Sequence, residues 1–248
     1  MEKASFPFSL QLSVTTADKL LAAVHGRRGK DAADALCVAC VTLLDVDAVA
    51  ICLVFDGVTT GTLGSSDARA RDYGELQFVL GEGPSLESVA RRAPVLVDDL
   101  AEPSGARWPL YEPAMLELGI HSVFALPVVI AGEYIGTLSL FRARPGPIAA
   151  EDASTAALAA QLARVPLLDL LHTDMHAAVN DPASEAWGEL NALSRADVSQ
   201  ATGMLVAQLD VGAAEALLRL RAHAYSTGRT AADVARDILE RTLELESD

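Results

Sequence analysis

At 248 residues, 51% of them hydrophobic and 21% charged, the chain is excluded from wholesale disorder and can bury one large core or two ordinary ones. Its net charge of −15 favours solubility and argues against docking on anionic membranes. The longest apolar runs, Ala35–Leu44 and Val123–Gly132, are too short to cross a bilayer, and the start (Met1-Glu-Lys-Ala-Ser-Phe-Pro7) has no secretory pattern, so a cytoplasmic location is expected.

After an N-terminal tail (residues 1–16), the pattern predicts helices over Ala17–Val24 and Ala32–Leu44. Val46–Phe55 reads as a strand ending at Asp56-Gly57, with Thr59–Ser65 as its hairpin partner. A helix over Asp67–Val79 runs into the tight turn Gly81-Glu-Gly-Pro84, after which Ser85 is expected to cap a short helix, Leu86–Arg91. Val95–Val97 is a short strand closing at Asp98-Asp99, and Arg107-Trp-Pro109 introduces a helix through Leu118. Val123–Val129 and Tyr134–Phe141 are strong strands joined at Ala131-Gly-Glu133. The natural assembly is an α+β domain over 17–165, a mostly antiparallel sheet with flanking helices.

Ala149–Leu171 reads helical apart from Pro166, which should kink or interrupt it. Leu158, Leu162, Val165, Leu168 (or Asp169) and His172 recur at helical spacing, which suits a parallel dimer seam or, equally, a helix packed back on its own sheet. Asn180-Asp-Pro182 is a turn and Glu185–Leu193 restarts the helix, so residues 166–189 form a helical linker.

Residues 190–248 read as three short helices. Ser194 is the expected N-cap of the first, whose apolar face is Val198, Ala201, Leu205 and Leu209. Gly212 with Glu215 starts the second, with Ala213, Ala216, Leu217, Leu220 and Ala224 as its stripe. Gly228 suits a helix end, and Thr230 with Asp233 opens the third, striped by Val234, Ala235, Ile238 and Leu239. Short connections force these helices into one compact unit. Gly203 inside the first costs roughly 1 kcal/mol against alanine, so a close approach of backbone or ligand is expected there. The unit holds six Arg against nine Asp or Glu, a net of −3, so any nucleic-acid contact must come from a local cluster.

The three cysteines are an odd count and fit a reducing compartment. Cys37-Val-Ala-Cys40 has the spacing of a redox or metal pair, but it sits in an apolar helix with no second pair of ligands, and Cys52 falls in a strand. Small buried hydrophobes are the expectation. His25 and His121 are isolated, and no metal site is expected.

The motifs of the first domain, in their order, resemble a GAF domain of the actinobacterial GAF–ANTAR regulators: Gly81-Glu-Gly-Pro84, Asp98-Asp99-Leu100, Arg107-Trp-Pro109, Leu126-Pro127 and Ile135-Gly136-x-Leu138. The resemblance implies a sensory domain whose pocket takes a small molecule, with Glu82, Asp98, Asp99, Arg107 and Trp108 the groups expected to face it. Alternatively the glycine-rich turn is only turn chemistry, and Arg107 only pairs with Asp98 or Asp99. The Asn-Lys-x-Phe-Asp pattern of cyclic-nucleotide GAF domains is absent and no cysteine stands where a bilin would attach, so the ligand and any cofactor are unassigned.

The last unit resembles the ANTAR domain of bacterial antitermination regulators. Gln200, Ala201, Gly203 and Leu205 match the first-helix element, Ala216, Leu220, Arg221 and Ala224 the second, and Val234, Ala235, Ile238 and Leu239 the third. The resemblance implies binding of paired RNA hairpin loops in nascent transcripts, with Gln200, Thr202, Gly203, Arg219, Arg221, Tyr225 and Arg229 as the contacts and Arg195 as a further cation. Many relatives place Lys where this chain has Thr202, which removes one phosphate contact. The resulting expectation is a cytoplasmic, homodimeric sensory regulator that is not an enzyme: no phosphate loop of the Gly-x4-Gly-Lys-Ser/Thr type, no His-Glu-x2-His and no catalytic residue are found. The rivals are a protein-interaction module using the C-terminal helices, and a GAF-fold redox enzyme using Cys37, Cys40 or Cys52.

Overall fold

The computed structural model describes residues 15–55, 58–102, 107–169 and 195–245. Helix α1 (Thr16–Val24) opens with a capping box, Asp18 N–H donating to Thr15 Oγ1 at 3.2 Å and Thr15 N–H donating back to Asp18 Oδ2 at 3.0 Å. Helix α2 (Gly29–Leu43) follows and buries Ala32, Leu36 and Cys40 at four-residue spacing.

Five strands form one antiparallel sheet in the order β2-β1-β5-β4-β3: β1 (Ala48–Phe55), β2 (Val58–Ser65), β3 (Val95–Val97), β4 (Ser122–Ile130) and β5 (Glu133–Arg142). The β4–β5 hairpin turns on Ala131 and Gly132, at φ 51° and 89°, the paired positive values a two-residue type I′ turn requires. Alternate side chains divide between the faces. Val49, Ile51, Phe124, Leu126, Leu138 and Leu140 face α1 and α2, together with α6 (Ala150–Leu162) and α7 (Arg164–Asp169). Ala48, Ala50, Cys52, Val123, Ala125 and Phe141 face α3 (Ala68–Leu80) and α5 (Tyr111–Glu117), and α4 (Pro84–Arg91) lies on the same side.

The helix expected to be interrupted by Pro166 breaks at Ala163, three residues earlier, so that Pro166 sits in the first turn of α7, where its missing N–H leaves no bond unmade. Within the described residues α6 lies back on its own sheet through Ala156, Ala159 and Ala160, the second of the two expected arrangements. The linker beyond Asp169, with its turn at Asn180-Asp-Pro182, the helix Glu185–Leu193, His172 and the Ser194 cap, lies outside the described residues, as does the Asp56-Gly57 turn.

Glycines shape the link from α3 to α4. Gly81 ends α3 in the left-handed region (φ 71°), and Gly83 at φ 136° lies so close to Gln77 that a Cβ there would stand 2.6 Å from Oε1. Pro84 then begins α4, so Ser85 is not the expected cap. Instead it is buried beneath the sheet. Its N–H donates to Gln77 Oε1 at 2.7 Å, and its hydroxyl joins Gln77 Nε2, Thr137 and Ser139 at 2.9 Å each.

The C-terminal unit is α8 (Ala196–Leu209), α9 (Ala213–Thr227) and α10 (Ala231–Leu239). Gly228 closes α9 at φ 63°, and Asp233 N–H donates to Thr230 Oγ1 at 3.1 Å to open α10. Val198, Ala201, Leu205, Ala216, Leu220, Ala224, Val234, Ala235 and Ile238 form its core as expected. Ala213, expected in the stripe, is exposed at the first position of α9, where the helix has not yet met its neighbours.

Candidate nucleic-acid interface

On α8, Gln200, Gly203 and Ala207 are exposed at helical spacing. A Cβ built on Gly203 meets nothing within 4 Å, so no described residue makes the close approach expected from a glycine inside a helix. The helix gives up roughly 1 kcal/mol there without an offsetting contact inside the described chain. Thr202 is turned inward, its hydroxyl donating to the Val198 carbonyl at 2.7 Å. With threonine in place of a basic residue, position 202 therefore presents no side chain at the surface of α8.

Three of the unit's arginines are paired with carboxylates of the unit itself. Arg219 pairs with Glu215 and Arg229 with Asp237, each at 2.7 Å, and Arg236 reaches Asp233 at 3.2 Å. Tyr225 on α9 is 49% exposed, and Leu218 64%. Arg221 does not join this surface. Its guanidinium carbon stands 4.4 Å from the centroid of the Phe78 ring on α3, and that of Arg195 3.6 Å from the same ring. Arg195, at the N-cap of α8, has a side chain 8% exposed, with Nη2 2.7 Å from Glu75 Oε2, an ion-pair distance without hydrogen-bond alignment. Nε and Nη2 of Arg221 are buried with no hydrogen-bond partner among the described residues, and Nη1 passes beside Gly81. Burial first, and the like charge of Arg195 second, draw the pKa of Arg221 below its ordinary value.

The five residues expected to line a sensory pocket do not converge. Glu82 Oε1 accepts from the N–H groups of Leu110 (2.6 Å) and Tyr111 (2.9 Å), holding the start of α5. Asp98 is exposed, its carbonyl accepting from Ser122 Oγ at 2.7 Å. Asp99 accepts from Ala101 N–H at 3.0 Å and meets His121 Nδ1 at 3.1 Å, both of which hold its carboxyl below the usual range. Arg107 pairs with Glu87, not with Asp98 or Asp99, and stacks 4.3 Å from Trp108. The Arg107 hydrogen bond is the main cause lowering the Glu87 carboxyl. Trp108 is buried with Tyr73, Tyr111, Met115 and Phe141, which fill the layer between the sheet and α3 and α5. Two clefts, of about 940 and 540 Å³, lie along α1, α6 and α7, and neither is lined by any of the five residues. Sequence periodicity gave no sign of Glu75 or Phe78, because each looks like an ordinary helix residue until the second domain is folded against it.

Cys37, Cys40 and Cys52 are free thiols buried in the two layers. Burial pushes Cys40 and Cys52 up to about 12 and Cys37 well above its ordinary value. A reactive thiol needs the opposite, a stabilised thiolate. Native protein should therefore leave all three unmodified by a chromogenic disulfide until denaturant is added; fast labelling of any one would revive the redox reading. Stability attached to the protonated thiols is intact below the ordinary value of 9.0 and is lost as pH rises toward about 12, because the unfolded chain ionises first. Each thiol contributes a slope of about 1.4 kcal/mol per pH unit in that window. Among the described residues no group of three or more His, Cys, Asp or Glu is placed to hold a metal ion, and no single helix is long and apolar enough to cross a membrane.

Comparison with known proteins bears on both halves. The GAF domain family matches residues 30–165, more than half of the chain, and the ANTAR domain family matches residues 191–239. Among solved structures, the chain is similar to the GAF domain of an Acinetobacter phosphoenolpyruvate-protein phosphotransferase, at 16% identity and TM-score 0.48, covering 62% of this chain and 91% of that one. A GAF domain from the same kind of protein in Coxiella burnetii is similar at 16% identity and TM-score 0.48, covering 66% and 95%. The type II free methionine-R-sulfoxide reductase of Thermoplasma acidophilum is similar at 18% identity and TM-score 0.42, covering 56% and 90%. No curated protein matches the sequence. An antiparallel sheet between two helical layers, followed by three helices that carry the second family's residues, accounts for both matches: the chain belongs to the GAF–ANTAR family, a GAF domain joined to an RNA-binding ANTAR domain.

Proposed function

We propose that this protein is a cytoplasmic transcription regulator in which the GAF domain controls binding of RNA hairpins by the ANTAR domain, and that the bound state prevents termination of nascent transcripts. The observation that carries the reading is Gly203: a helix-interior glycine on an exposed face that no described residue covers. That arrangement lets a ligand backbone approach the helix. Gln200 lies one turn away to hydrogen-bond it, and Tyr225, Arg219 and Arg229 supply stacking and charge. Few cations per unit favour a homodimer that presents two units to paired loops. A small-molecule signal in the GAF domain is supported by the Tyr111 hydroxyl, fully buried with no hydrogen-bond partner among the described residues. We read the protein as a non-enzymatic regulator.

The test combines RNA binding with one substitution. Full-length protein should bind an RNA carrying two hairpins at low salt, with a log–log salt slope of about −3 to −4 for a dimer making two or three phosphate contacts per subunit. Gly203→Ala should raise stability by about 0.5–1 kcal/mol, since its methyl meets none of the described residues, yet weaken hairpin binding about tenfold. A stabilised variant with unaltered binding would remove α8 from the interface. The exposed Leu218 and the acidic balance favour a second reading, a protein-docking face. That reading wins if no hairpin RNA binds at low salt while a protein partner does.

A further inference from the structure

The contact between the two domains has its own chemistry. Phe78 belongs to the GAF domain, yet it is 3% exposed and packs into the ANTAR core, with Val79 beside it. Its ring carries two guanidiniums, Arg195 at 3.6 Å and Arg221 at 4.4 Å. Among the described residues Glu75 alone supplies a countercharge, and it stands against Arg195. Arg221 has two buried donors left unsatisfied. Buried guanidinium donors without acceptors are costly, and water or a phosphate would satisfy them. The ring attracts Arg221 while the desolvation of its donors opposes the contact.

We propose that the last turn of α3 is a latch, in which Phe78 withdraws Arg221 from RNA and docks the ANTAR domain on the GAF domain, so that RNA and the GAF domain compete for the same guanidinium. This rests on the RNA-binding reading above. The same turn also reads the GAF interior. Gln77, adjacent to Phe78, points the other way into the buried hydroxyls of Ser85, Thr137 and Ser139 under the sheet. Gly83 is pressed against Gln77, so the turn is held from inside the GAF domain. A rearrangement of that polar cluster moves the Phe78 ring with it. Only the undocked state offers Arg221, so the apparent RNA affinity falls by the undocked fraction, and RNA in turn drives undocking.

The test uses full-length protein with Phe78→Ala, and with Glu75→Gln, which removes the countercharge while keeping an acceptor for the Thr62 hydroxyl. Without RNA, hydrogen exchange should quicken at the end of α3 and along α9 in both variants. At fixed salt both should bind a two-hairpin RNA at least tenfold more tightly than the unaltered protein, and RNA added to the unaltered protein should quicken exchange over residues 75–81. Unchanged exchange in both folded variants would overturn the latch, as would quickened exchange with equal or weaker RNA binding. If exchange quickens but no form binds RNA, the docking contact stands and the RNA reading falls. Should Phe78→Ala fail to fold, Phe78→Leu keeps the apolar contact without the ring and should shift both readouts in the same direction by less.

Discussion

Gly136→Ala should cost the GAF domain about 3 kcal/mol or more. Gly136 sits on β5 opposite Leu53 on one side and Val128 on the other, inside the sheet. A Cβ there would fall well within contact distance of the Cys52 carbonyl oxygen and 3.3 Å from Leu53 Cα. Those are backbone atoms of β1, itself hydrogen-bonded to β2 on its far side, so no side chain can swing away. The strands must part or the ladder must shift, which exceeds the usual range for an overpacked side chain. Urea unfolding of the variant should show an early midpoint for the GAF domain. A loss under about 1 kcal/mol would mean that β1 and β5 yield more readily than a central strand pair should.

Arg221→Ala should weaken hairpin binding by about 1–3 kcal/mol, the range for losing a charge-assisted hydrogen bond. The measurement belongs in the Phe78→Ala background, where Arg221 no longer divides its time between ring and RNA. There the salt slope should also become shallower by about one, since a dimer loses two phosphate contacts. Arg236→Ala should do little, because Arg236 is exposed and its partner is the neighbouring Asp233. If Arg221→Ala binds hairpins as the parent does while Gly203→Ala does not, the interface runs along α8 and leaves α9 out.

Most of the architecture is legible in the sequence because it is written in local patterns. Alternation marks the strands, Ala131-Gly132 marks the hairpin, and Thr230 with Asp233 marks the start of α10. What local pattern cannot show is which partner wins. Ser85 stands where a cap would, but the Pro84 ring takes the first helical position and the hydroxyl goes to Gln77. Arg107 has two nearby aspartates in sequence and chooses Glu87 across space. Thr202 follows the exposed Gln200 but faces the core. Helix α3 shows no single apolar stripe because it is buried on two sides, with Tyr73 in the GAF core and Phe78 in the ANTAR core. The docking of Arg221 was therefore invisible: an arginine at a family position reads as an RNA contact, and its competitor lies in another domain.

The pairing of β1 with β5, Ala48 opposite Phe141, fixes an order of events during synthesis. The centre of the sheet cannot close until β5 has left the ribosome, and closing so long a loop makes this the slow, nonlocal step of GAF folding. The segment carrying Arg195 and Arg221 is made later still. Domains made first tend to fold first, so the ANTAR helices, whose contacts are local, emerge beside a GAF surface already bearing Phe78. Under the proposed latch, a chain folding in this order meets the docked arrangement first, with Arg221 already against Phe78.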